Sequence, residues 1–291
     1  MCGEEMDKRK IEKKKKGDVD RRKRKSDSPV KRQERDRREK FNQYKFVIKE
    51  LTAREIKRKY SRSMLGIVWS VLNPLLSMIV ISLVFTRLLD RSIENFPIFY
   101  LCGFLLWELF TTSTKSAMTT FVDNKPMLIK VKLPMQIFVL VKVYTALINL
   151  EYSLIGFCLM LFIFQIKFTW VMLFVPIIII LILFFSIGIS YILATAYVFF
   201  GDVKHLYSVF LKLLLYCSAI FYPIDRLDGA IKLVVLNNPI FNYIDALRTV
   251  VMLGEVPAIS SFVRMILWSI SMYTLGYAVF RKNKNAIMQK I

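Results

Sequence analysis

Six stretches of this chain are apolar for about as long as a helix needs to cross a bilayer, roughly 20 residues for a hydrocarbon core about 30 Å thick. They fall near 65–88, 96–118, 137–164, 171–200, 206–222 and 262–280. A water-soluble fold would have to cover such runs with charged surface, and the charges lie elsewhere. Residues 1–62 hold 25 of the 43 Lys and Arg and 12 of the 22 Asp and Glu, which leaves the rest too sparsely charged to make that surface. The expected fold class is an all-α integral membrane protein with six transmembrane helices. The third and fourth stretches are long enough to tilt or protrude, and the fifth is near the minimum length.

The basic segment has two parts. Up to residue 40 it is Lys, Arg, Asp and Glu with almost nothing to bury, so 1–40 is expected to be a disordered basic cytoplasmic tail. No folded reader module follows it, so nucleic acid is not an expected partner. The opening residues lack the apolar stretch of a signal peptide, and Cys2 sits in no recognised lipidation motif. Over 41–62, Phe41, Tyr44, Val47, Ile48 and Leu51 recur at helical spacing while Lys45, Lys49, Arg54, Lys57, Arg58 and Lys59 supply a polar face. That pattern predicts an amphipathic interfacial helix lying on anionic headgroups.

Lys and Arg in the short flanks set the orientation, because cationic loops resist translocation. Lys125, Lys130 and Lys132 after the second stretch, Lys204 after the fourth, and Arg281, Lys282, Lys284 and Lys290 at the end place these parts and both termini in the cytoplasm. The transmembrane domain is thus expected over 63–283, with a cytoplasmic tail over 284–291. The outer segment 223–261 holds two apolar pieces, 231–236 and 240–253, too short to span, which predict extracellular re-entrant helices. Asn238 with Pro239 is a helix start, and Gly254 a stop.

Chemistry-bearing motifs are scarce. No phosphate-cradling glycine loop followed by Lys and Ser or Thr is present, so hydrolysis of ATP through that motif belongs to a partner and the chain is not expected to be an enzyme. Cys2, Cys102, Cys158 and Cys217 share no metal-type spacing and His205 is the only histidine, which predicts no metal and no cofactor. Polar residues within or beside the spans are Glu108, Lys115, Lys142, Glu151 and Lys212. The three lysines lie near enough to the ends to snorkel, whereas Glu108 and Glu151 are deeper and are candidate pathway residues.

The order of several segments resembles one family. REIKRKYSRSMLGIVWSVLNPL from Arg54 to Leu75 is similar to the entry of the first span in ABC-2-type permeases that export polysaccharides, such as the O-antigen, capsule and teichoic-acid exporters. NKPMLIKVKLPMQIF from Asn124 to Phe138 is similar to their loop between spans two and three. FFGDVKHLYSVF, FYPI and LNNPIFNYIDALRTVVMLG follow in the same order. The resemblance implies a plasma-membrane permease homodimer working with two copies of a separate ABC ATPase subunit. Its cargo would be a polyprenyl-diphosphate-linked glycan, passed outward through a channel between protomers. It assigns ATPase coupling to the loop of Asn124, Lys125, Pro126, Leu128, Lys130, Lys132 and Pro134. At the interfacial helix, Lys57, Arg58, Lys59 and Arg62 would meet the lipid diphosphate among the membrane headgroups. Two features depart from the pattern: Gly201-Asp202 stands where many relatives have Arg-Asp, and the basic extension before Phe41 is longer than expected.

Three other readings share parts of this description. An ABC-2 permease for a small lipid or drug would have the same architecture. A membrane glycosyltransferase would need a catalytic cluster at one face, and Asp225, Asp228 and Asp245 are scattered. A secondary transporter would be expected to carry internal repeats, and none is evident.

Overall fold

A computed structural model of the chain describes residues 29–61, 63–88, 95–130 and 133–291. The expected tail over 1–28, Arg62 and Lys132 lie outside the described residues. Two units divide at residue 50. Among the described residues every regular element is helical. The first helix, α1, spans Pro29–Tyr60, so residues 29–40 are helical where a disordered tail was expected. Proline is tolerated in the first turn, and the Lys, Arg, Glu and Gln that follow are good helix formers needing no buried face to close their backbone bonds.

The second unit, 51–291, contains the membrane helices. Among the described residues, five helices are long and apolar enough to cross a bilayer. They are α2 (Val68–Leu88), α3 (Phe96–Met118), α6 (Gln136–Ile163), α7 (Val175–Phe199, preceded by a 3₁₀ turn at Trp170–Phe174) and α11 (Ile259–Lys290). Within their spans, 78% of α3 is buried against 11% of α2. Thus α3 is the hub, packed by α2, α6, α7 and α10, while α2 presents most of its apolar surface outward. Between α3 and α6 lie two short helices, α4 (Thr120–Asp123) and α5 (Lys125–Lys130).

α7 and α11 make the most extensive helix pair. A Cβ added at Gly188 would overlap the Met272 carbonyl, and one at Gly276 would overlap the Gly188 carbonyl. Backbone lies directly on backbone there, as small residues permit between membrane helices.

The stretch expected to be the fifth span, 206–222, differs in form. Its helix, α8, covers Val203–Tyr216, 14 residues, or about 21 Å, short of the hydrocarbon thickness. Beyond it the chain turns through Ala219 at φ +47°. The reason lies in side chains that take up backbone carbonyls. Arg248 donates to Ala219 O (2.9 Å) and Ile220 O (3.1 Å), and Asn238 Nδ2 donates to Cys217 O (2.9 Å). Buried backbone outside a helix persists only with such partners.

Two short helices follow, α9 (Gly229–Leu236) and α10 (Pro239–Arg248), the latter ending in a π turn at Thr249–Leu253. As the sequence predicts, Asn238 caps α10, its Oδ1 accepting from Ile240 N at 2.9 Å, and Gly254 closes the segment at φ +67°. α10 is buried against α3, α7 and α11. Tyr243, fully buried, donates its hydroxyl to Met265 O on α11 (3.0 Å) and shares a 2.7 Å bond with Ser269.

Candidate functional site

Two regions gather the residues singled out by sequence. The first is the loop from Asn124 to Pro134. Asn124 ends α4 with its own side chain, Nδ2 donating to Thr120 O at 2.8 Å, and so separates α4 from α5. On α5, Leu128 is buried among Phe121, Met135, Phe138, Phe280 and Ile287. Lys125, Pro126, Ile129 and Lys130 are exposed, Ile129 at 64%. The element is a short amphipathic helix held by Leu128 with Met127 packed beside it, with two cations and an isoleucine turned outward. Pro134 is half-buried where the chain enters α6.

The second region is a polar cleft where the end of α1 meets α2, α3 and α6. A cavity of about 210 Å³ is lined by Lys59, Tyr60, Trp69, Asn73, Glu108 and Asn149, among others. A neighbouring cavity of about 440 Å³ is lined by Glu55, Arg58, Thr112 and Lys142, and shares Lys59 and Asn149 with the first. Within the cleft the Tyr60 hydroxyl contacts Ser70 Oγ and donates to Asn149 Oδ1 at 3.0 Å. Asn73 Nδ2 lies 3.5 Å from Glu108 Oε1, the outer limit of a hydrogen bond. Ser153, from α6, donates to Ser70 O at 2.8 Å. Glu55 bridges two cations, Arg58 at 3.0 Å and Lys142 at 2.9 Å. Lys142 is only 7% exposed, so it pairs within the protein instead of snorkelling.

The structure therefore separates the four cations expected at the interfacial helix. Arg58 and Lys59 line the cleft, Lys57 is exposed and lines neither cavity, and Arg62 is outside the described residues. It also separates the two carboxylates. Glu108 faces the cleft, whereas Glu151 is exposed on the outer side of α6, in the stripe of Tyr144, Ile155 and Leu159.

Several residues here had not been singled out from the sequence. Asn73, Asn149 and Tyr60 converge from three helices, and only their rotation brings them together. Arg248 had a visible signal, being the single cation in the apolar run 240–253. It is 7% exposed, lies 3.4 Å over the Phe99 ring, and donates to Phe99 O at 3.2 Å as well as to the two carbonyls beyond α8. Burial pulls its guanidinium down to about 10, still cationic at neutral pH. One side chain thus ties α10, the first turn of α3 and the irregular segment after α8.

The model of the ABC-2 type transporter family matches residues 47–252. An O-antigen export system permease protein RfbA from Myxococcus xanthus is 28% identical over 86% of this chain and 96% of its own length. A protein of the same description from Klebsiella pneumoniae is 27% identical over 80% and 90%. The polysialic acid transport protein KpsM from Escherichia coli is 20% identical over 85% and 97%.

Proposed function

Because the chain belongs to the ABC-2 type transporter family, we propose that it is the permease subunit of an ABC transporter that exports a polyprenyl-diphosphate-linked polysaccharide across the plasma membrane. The observation that carries the reading is the near full-length similarity to permeases named for O-antigen and polysialic acid export. In this reading the permease is a homodimer served by two ATPase subunits. α8 and its turn complete a sixth passage, α9 and α10 form a re-entrant pair at the outer mouth, and both termini are cytoplasmic. The basic flanks support that orientation.

Division of labour follows from the two regions described above. The exposed face of α5, with Lys125, Pro126, Ile129 and Lys130, is the docking element for the ATPase, and Leu128 transmits its displacement into the bundle. Arg58 and Lys59 at the cleft meet the diphosphate, whose charge they match, and Lys57 and Arg62 are the further candidates from the same stretch of sequence. Glu151, a carboxylate on an otherwise apolar stripe, is costly against lipid and faces the pathway or the second protomer. The aromatic residues give a glycan flat apolar faces without tight sites.

The test is purification of the tagged protein from its native membranes in mild detergent, with mass spectrometry and an ATPase assay on what accompanies it. A stoichiometric nucleotide-binding subunit is expected, lost when Lys125, Ile129 and Lys130 are replaced together. Absence of such a subunit, under conditions that preserve a known exporter complex, would overturn the reading.

A further inference from the structure

The cleft holds more polar groups than a diphosphate needs, and they are of a different kind. A diphosphate calls for cations and N–H donors, which Arg58 and Lys59 supply at the end nearest α1. The smaller cavity, which Lys59 also reaches, is lined besides by a carboxylate, two carboxamides and an indole: Glu108, Asn73, Asn149 and Trp69. A carboxylate would repel phosphate. It accepts hydrogen bonds from neighbouring hydroxyls, carboxamides both donate and accept, and an indole face packs on a ring of C–H groups. Together these are the complements of a pyranose.

The arrangement is held ready for a ligand. Tyr60 donates to Asn149 Oδ1, and Asn149 Nδ2 has no hydrogen-bond partner among the described residues. Glu108 is reached by Asn73 at one oxygen alone, at 3.5 Å, so its second oxygen is available. Trp69 is 45% exposed at the rim, and Leu105, Leu109 and Leu150 close the apolar side. Groups of this polarity inside a membrane domain are expensive unless something hydrogen-bonds them, and a hydroxyl-rich ring does so at several points at once.

We propose that this cavity is the subsite for the sugar bonded directly to the lipid diphosphate, with Glu108, Asn73 and Asn149 binding its hydroxyls and Trp69 covering one face. Lys59, shared by both cavities, stands at the junction of diphosphate and sugar. The proposal rests on the lipid-linked export reading above. It makes the transporter selective for a carrier already loaded with sugar over the bare carrier diphosphate.

The test compares soluble short-chain probes on the full chain in lipid nanodiscs: farnesyl diphosphate, and farnesyl diphosphate carrying N-acetylglucosamine, glucose or galactose. The unmodified protein should bind at least one glycosylated probe roughly tenfold more tightly than farnesyl diphosphate, the increment of about one charge-assisted hydrogen bond. Glu108→Gln and Asn73→Ala, at positions that line the smaller cavity alone, should bring that ratio close to one without weakening binding of farnesyl diphosphate, which also reports that the variants are folded. Arg58→Gln combined with Lys57→Gln should weaken both kinds of probe. A ratio near one for every sugar in the unmodified protein, or a preference that survives both cavity substitutions, would overturn the subsite and leave the diphosphate reading standing. Failure of the unmodified protein to bind any of the four probes would remove the lipid-linked reading, and the subsite with it.

Discussion

Arg248 shows how much of an irregular segment can depend on one side chain. Its three carbonyl acceptors lie on α3 and beyond α8, and the Phe99 ring beneath it replaces part of the lost hydration. Arg248→Ala leaves those carbonyls without donors at the price of on the order of 3 kcal/mol, so thermal unfolding in detergent should shift well below the unmodified protein's. Arg248→Lys keeps the charge but cannot reach three acceptors in a fork, and its midpoint should fall between the two. A midpoint unchanged by Arg248→Ala would show that these bonds do not hold the segment. The positively charged residues of the chain were easy to see in the sequence, but not what each one does. Lys142 and Glu55 are 87 positions apart, and nothing in one dimension pairs them. Glu108 was visible as a costly residue in a span, whereas its setting with Asn73 and Asn149 depends on how three helices are rotated.

Helices were legible wherever the apolar run alone decided the outcome, as for α2, α3, α6, α7 and α11, because length and hydropathy leave a bilayer-crossing chain few alternatives. Legibility failed where side chains override the run. The stretch 206–222 is apolar apart from Lys212 and two serines, yet α8 stops at Tyr216 because Asn238 and Arg248, distant in sequence, take up the next carbonyls. α1 begins at Pro29 for the opposite reason: helix formers need no core to make a helix. Two element-scale contrasts are measurable. Gly188→Ala or Gly276→Ala forces α7 and α11 apart, since the obstacle is backbone and cannot turn aside, and should cost several kcal/mol. Gly201→Ala, with nothing within 4 Å, should leave stability unchanged in the same thermal assay. On α5, Leu128→Ala empties a buried position and should lower stability by about 2–3 kcal/mol. Ile129→Ala with Lys130→Ala should preserve stability and abolish ATPase association and export. Export intact in the double variant would remove α5 as the docking element.

At the level of the whole molecule, the proposed orientation makes a plain prediction for cysteines introduced one at a time into a variant lacking the native four. Lys167→Cys and Glu255→Cys, both at exposed positions, should react with a membrane-impermeant maleimide added to intact cells. Lys204→Cys and Arg281→Cys should react only after permeabilisation, and the reverse pattern would invert the topology. One helix reaches both of the contacts singled out above, at α5 and at α10. α11, at 32 residues, is about 48 Å long. Near its C-terminal end Ile287 is buried with Leu128 of α5, and near its N-terminal end Met265 receives the Tyr243 hydroxyl of α10. Gly276, pressed on Gly188, lies about eleven residues, or about 16 Å, from each of these contacts. A rigid rod tilted about the glycine contact would have equal arms: a sideways push of a given size at the Leu128 end would return at the Tyr243 end with the same size and the opposite direction.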